Sequence, residues 1–204
     1  VSPYGFGGTR DIQGSLVAED FSGSGGGTVN AEVVEQLQFA DPRSESPVAA
    51  RQLLRNLFVK SPFRFAREDA LIAAVHMSKV GEQHYPGDFV TTENRPHVGP
   101  GKWGIINAMS PKYFDTSAIA DMPEKPPILW VRGDADLIVS DNSLLDPATD
   151  PQPMIGQTRD VLARYASNGG LVEELVIEDA GHSPFLENPA DFVAGFTNFL
   201  SRCR

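Results

Sequence analysis

Cysteine is nearly missing from this chain: one residue, Cys203, in 204. A single thiol excludes an intrachain disulfide and any cysteine-rich zinc site. Long apolar runs are missing too, and none approaches the roughly 20 residues a bilayer span needs. Positive charge is in deficit, with 17 Lys+Arg against 27 Asp+Glu and a net charge of −10. Such a surface repels phosphate backbones and anionic headgroups, so neither nucleic acid nor membrane is expected as a partner. The chain starts Val1-Ser2-Pro3, with neither an initiator Met nor a signal peptide. With 41% hydrophobic and 22% charged residues, the composition is that of a folded globular chain. A cytoplasmic, reducing setting is the expectation.

Residues 1–28 are rich in Gly and Ser, and runs such as Ser22-Gly23-Ser24-Gly25-Gly26-Gly27 read as loop. No Gly-x-x-x-x-Gly-Lys-Ser/Thr occurs there, which argues against a phosphate cradle. Residues 29–82 read as three short helices. Val33, Val34 and Leu37 follow an Asn30 cap, Leu53, Leu54, Leu57 and Phe58 follow Pro47, and Leu71, Ile72 and Val75 follow Glu68-Asp69. Residues 83–125 are broken by Pro and Gly, with aromatics interleaved, and read as an irregular covering segment.

The last third changes to an α/β pattern. Ile128-Leu129-Trp130-Val131 reads as a strand buried on both faces, 155–168 as a helix closed by Asn168-Gly169-Gly170, and 171–177 as a second strand. Asn188-Pro189 then opens a helix with Phe192, Val193, Phe196, Phe199 and Leu200 on one stripe. Two strands make a poor sheet alone, so further strands are expected from a part of the protein upstream of Val1.

The first strand runs into Arg132-Gly133-Asp134-Ala135-Asp136, and the second into Glu178-Asp179-Ala180-Gly181-His182-Ser183-Pro184-Phe185. Adjacent parallel strands put both carboxyl ends on one edge, where open α/β sheets bind ligands. An acid from one loop can then meet His182 from the other. Asp134, Asp136 and Asp141 are all candidates for that acid.

Gly133-x-x-Asp136-x-x-Val139, and Gly181-His182-x-Pro184 followed by Leu186-Glu187-x-Pro189, resemble the catalytic-acid and catalytic-histidine loops of the α/β-hydrolase superfamily. The resemblance covers about residues 126–204. It implies a mostly parallel α/β-hydrolase sheet of which this is the C-terminal part: 1–11 the end of a core strand and its loop, 12–125 an inserted, largely helical cap, and 126–204 the end of the core. It implies catalytic Asp136 and His182, Asp136 being favoured over Asp134 by its place in the motif, and no cofactor.

No Gly-x-Ser-x-Gly occurs, so the nucleophile and oxyanion hole are expected upstream, on a chain or segment that completes the sheet. A Ser nucleophile implies cleavage of an ester or lactone in a fairly apolar small molecule. An Asp nucleophile implies an epoxide hydrolase or haloalkane dehalogenase. A catalytically inactive binding protein, and one product of a cleaved precursor, are the remaining readings. Phe185 and Trp103 are the expected substrate contacts, with Phe63, Phe65, Tyr85, Phe89 and Phe114 either lining the pocket or filling the cap core. His76, His84 and His97 lack ligand spacing and read as structural or solvated. The acidic stretch 141–150 lacks the order of ligands a calcium loop needs and reads as a solvated loop, so no metal is expected.

Overall fold

In the computed structural model, which describes residues 2–146 and 151–203, the first α-helix is α1, Ala31–Phe39. Asn30 caps it by accepting from the Glu32 N–H at 2.8 Å, and Ala40 ends it in the left-handed region. The second helix, α2 (Ala50–Leu53), begins after Ala49 and runs directly into a π turn, Leu54–Phe58. Pro47 therefore lies in the turn before the helix, not at its first position. The third, α3, is Glu68–Val75.

Glu68 does more than complement a helix dipole. It is buried and accepts from Arg51 at 2.6 Å and from Arg55 Nε at 2.9 Å, tying α2 and its π turn to α3. The Arg55 hydrogen bond, against burial, holds the Glu68 carboxyl below its ordinary range. Beneath this pair Leu54, Val59 and Ile72 form a small core, with Phe63, Phe65 and Leu71 around it.

The segment expected to be irregular contains a hairpin. Strand β1 (Phe89–Thr91) pairs antiparallel with β2 (Val98–Pro100), Phe89 opposite Pro100. Three-residue strands, one ending in Gly-Pro, leave no alternation long enough to read. The Ser/Gly run packs against this hairpin. Gly25 has φ +89°, and a Cβ on it would meet the Pro100 Cα at 2.6 Å. The buried Asn107 side chain, on the short helix α4 (Ile105–Ala108), accepts from the Gly26 N–H at 2.7 Å and donates to the Asp88 carbonyl at 2.8 Å. Those glycines serve close backbone packing.

The C-terminal pattern is the one expected, and the chain is mixed α/β with a small parallel sheet. Strand β3 (Ile128–Gly133) is followed by α5 (Met154–Ser167), β4 (Val172–Ile177), a short α6 (Pro184–Glu187) and α7 (Pro189–Arg202). The two strands are parallel, with Ile128 opposite Val172 and Gly133 opposite Ile177. Asn188 caps α7 by accepting from the Asp191 N–H at 3.2 Å. Val161 and Tyr165 of α5 pack with Tyr4 and Ala120 into a second core that Ile128 and Val172 touch.

Strand β3 departs from expectation in its burial: residues 128–132 are only half-buried. Among the described residues β3 has a single strand neighbour, so one edge and part of its faces stay open. The stripe on α7 is likewise only partly covered, with Phe199 buried and Val193, Phe196 and Leu200 exposed.

The opening segment also differs. Residues 2–11 form turns and isolated bridges, not the end of a strand. They are held by two buried amides at the start of α5. Gln152 donates to Ser2 Oγ at 2.9 Å, and Gln157 donates to the carbonyls of Arg10 and Asp11 at 3.1 and 2.6 Å.

Candidate functional site

The loops after β3 and β4 meet at one edge of the sheet. The Asp134 N–H donates to the Ile177 carbonyl at 3.2 Å and the Ala135 N–H to the Ala180 carbonyl at 2.9 Å. This backbone zipper carries the pairing past the strands and delivers Asp136 to His182. Asp136 Oδ2 lies 2.9 Å from His182 Nδ1. Its other oxygen, Oδ1, accepts from the N–H groups of Ile138 and Val139 at 2.8 and 3.1 Å.

Every polar contact of the carboxylate is thus from a donor. Burial pushes the Asp136 carboxyl up, but the His182 hydrogen bond and charge, with the two N–H groups, outweigh it and leave its pKa lowered. An ionised carboxylate only accepts, so the proton between the pair sits on Nδ1, and in the neutral imidazole that leaves the lone pair on Nε2. The Asp136 side chain is 7% exposed and that of His182 31%, which leaves the imidazole as the member of the pair that reaches the surface. Nε2 makes no hydrogen bond among the described residues.

The competing acids are accounted for elsewhere. Asp134 is exposed, and its only contact in the zipper is through its backbone. Asp141 accepts from the Ile155 and Gly156 N–H groups at 2.9 and 3.0 Å, capping the start of α5. Asp146 accepts from the Gly8 and Gln152 N–H groups at 3.1 and 2.8 Å. The acidic stretch read as solvated therefore binds the opening segment and α5; its residues 147–150 lie outside the described residues. Among the described residues no group of three or more His, Cys, Asp or Glu is arranged to hold a metal.

The histidine loop is packed tightly enough to require glycine at two places. A Cβ on Gly133 would come within 2.1 Å of the Ala180 carbonyl oxygen. A Cβ on Gly181 would come within 2.9 Å of the Lys60 nitrogen, because the π-turn exit lies directly on the loop. From that exit Phe58 sets its ring edge-on to the His182 imidazole, centroids 5.7 Å apart and planes at 73°. The sequence offered no sign of this contact, since Phe58 sits on a helical stripe that reads as core.

Beside the loop opens a cleft of about 1370 Å³ between the helices and α6. Leu37, Leu54, Phe65, Leu71, Tyr85 and Phe185 are among its walls. Phe185 was expected there. Trp103 was expected to join it and does not: its ring is exposed outside the cleft, with Lys102 Nζ 4.8 Å from its centroid. The Trp103 backbone is fixed instead, its N–H donating to Asp88 Oδ1 at 2.6 Å and its carbonyl accepting from Asn107 at 2.5 Å, which leaves the indole turned outward. Phe63 stacks on Phe65 at 6.2 Å, Phe89 is exposed and Phe114 is half-buried away from the cleft. Of the three other histidines, His84 lines the cleft, His97 Nδ1 lies 3.3 Å from the Thr92 carbonyl, and His76 is half-buried beyond the end of α3.

No family model, curated protein or solved structure matches this chain. Among the described residues no helix is long and apolar enough to cross a membrane.

Proposed function

We propose that the chain is the C-terminal part of an α/β-hydrolase, contributing the acid and the histidine of a nucleophile–His–Asp triad that cleaves an ester or lactone bond in a fairly apolar small molecule. The observation that carries this reading is the 2.9 Å contact between Asp136 Oδ2 and His182 Nδ1 at the carboxyl edge of two parallel strands.

The chemistry follows from the tautomer. With Nδ1–H donated to Asp136, Nε2 of His182 accepts the proton of an attacking hydroxyl and later returns it to the leaving alkoxide. The imidazolium formed in between is stabilised by the Asp136 carboxylate, whose lowered pKa keeps it ionised. The apolar cleft beside His182 would hold the hydrophobic part of the substrate, with Phe185 on its wall. No cofactor enters any of these steps.

The nucleophile, a serine in this reading, and the oxyanion hole come from a segment outside the 204 residues. That β3 has one strand neighbour among the described residues, and that Val193, Phe196 and Leu200 on α7 are exposed, support such a segment, since both would be covered by a completed sheet.

Intact mass spectrometry of the active preparation, before and after a fluorophosphonate probe, tests this. The expected result is one probe mass on a serine outside residues 1–204, lost in the His182→Ala variant. A preparation that takes up no probe and hydrolyses no ester overturns the serine-hydrolase reading. A label on a serine within the 204 residues overturns the external nucleophile.

A further inference from the structure

Glu187 joins the helical half of the chain to the histidine loop through two backbone N–H groups. Its Oε2 accepts from Gly181 at 2.8 Å, and its Oε1 accepts from Lys60 at 2.5 Å. One carboxylate thereby spans two segments, each of its oxygens accepting from one of them. Gly181 immediately precedes His182, and Lys60 lies two residues after Phe58, whose ring stands against the imidazole. Lys60 adds an ion pair from its ammonium to Asp179, at the other end of the same loop.

The imidazole is therefore fixed from three directions. Asp136 holds Nδ1, Phe58 stands beside the ring, and Glu187 holds the backbone immediately before it. The Phe58 contact needs the loop to sit against the π-turn exit, while the Asp136 contact is delivered by the zipper between the β3 and β4 loops. Among the described residues, Glu187 bonds to both sides of the seam between loop and exit with one group. The half-buried Glu187 carboxylate, on the four-residue helix α6, thus receives two charge-assisted backbone hydrogen bonds from segments distant in sequence.

We infer that Glu187 is a positioning residue for His182: by bonding Gly181 and Lys60 together it makes the Asp136-bonded orientation of the imidazole depend on the helical module being seated. This rests on the reading of His182 as the proton-transfer group. It adds that the backbone before the imidazole is tied to the helical segment that lines the cleft, so substrate access and base orientation are linked.

The test reads the imidazole directly. In the intact protein labelled with ¹⁵N-histidine, the His182 Nδ1–H proton hydrogen-bonded to a carboxylate gives a downfield resonance. In Glu187→Gln, where an NH₂ faces one of the two N–H donors, and in Glu187→Ala, we expect that resonance to broaden or its solvent exchange to quicken about tenfold or more. The kcat for an ester substrate should fall by about as much with KM little changed, as displacement of a reacting group does. An unchanged resonance and exchange rate in a folded variant overturns the inference, whatever happens to the melting temperature. Should Glu187→Ala fail to fold, the near-isosteric Glu187→Gln supplies the reading. If no ester is ever hydrolysed but the resonance responds to Glu187, the positioning role holds and only the hydrolase reading falls. A wild-type protein without the resonance overturns both.

Discussion

The carbonyl oxygen of Ala180 lies over the α-carbon of Gly133, so close that a Cβ there would stand 2.1 Å from it. That contact sets the spacing of the two loops and so the distance between Asp136 and His182.

Replacing Gly133 with Ala should therefore act on stability and on the site together. The intruding methyl group meets backbone, not a side chain that can swing aside, so we expect a loss of about 3 kcal/mol, the upper end for overpacking. Urea denaturation measures it. A change under about 0.5 kcal/mol, the size of an ordinary surface substitution, would mean that the loops are not held in this contact.

Asp136→Asn should leave the fold in place and remove most turnover. The amide oxygen can still accept from Ile138 and Val139, but its NH₂ then faces Nδ1 and selects the wrong imidazole tautomer. We expect kcat to drop by roughly 10²–10⁴-fold, by analogy with other triads. Near-normal turnover would remove Asp136 from the mechanism.

The same carboxylate should leave a mark in acid. Its folded pKa is lowered from the ordinary 3.8, so its contribution to stability is complete above that value. The contribution is lost as the pH falls below 3.8 and through the lower folded pKa. Glu68 and Glu174, held low by Arg55 and Arg159 against burial, add to the acid loss. The difference between wild type and Asp136→Asn isolates the one group. Denaturant midpoints between about pH 2 and 6 should converge for the two proteins at the acid end. Parallel curves across the range would count against an ionised, buried Asp136.

Phe185→Ala should raise KM for apolar substrates. The ring is half-exposed at the cleft wall, and losing its contact is worth about 1–2 kcal/mol, roughly five- to thirtyfold in KM. Trp103→Ala, whose ring lies outside the cleft, should change KM less than about twofold, well under that 1–2 kcal/mol. Comparable KM changes in both variants would place the substrate elsewhere.

The legible parts of this chain were those governed by local rules. The Asn30 and Asn188 caps, the Gly-Gly stop after α5 and the short apolar strand all act within a few residues of themselves. The meeting of Asp136 and His182 was inferable because parallel pairing of two strands fixes where their loops emerge. What escaped is held by partners distant in sequence. The hairpin of β1 and β2 depends on packing against a glycine run some 70 residues earlier, as in the hydrogen bond from Ser22 to Asn94 with a separation of 72. Glu187 looked like part of a motif, but its bond to Lys60 crosses 127 positions, and no periodicity records that. Trp103 was assigned by its residue type alone, and type says nothing of which way an indole turns.

The buried amides of Gln152 and Gln157 also impose an order on synthesis. Gln152 bonds Ser2 across 150 positions, so until α5 has left the ribosome the opening segment lacks these two amide partners and has only local bonds such as Ser2 Oγ to the Gly5 carbonyl at 2.7 Å for those groups. At roughly 5–20 residues per second, that wait is on the order of ten to thirty seconds. Over that interval residues 2–11 emerge early and are secured late, leaving a window in which a chaperone or protease meets them first.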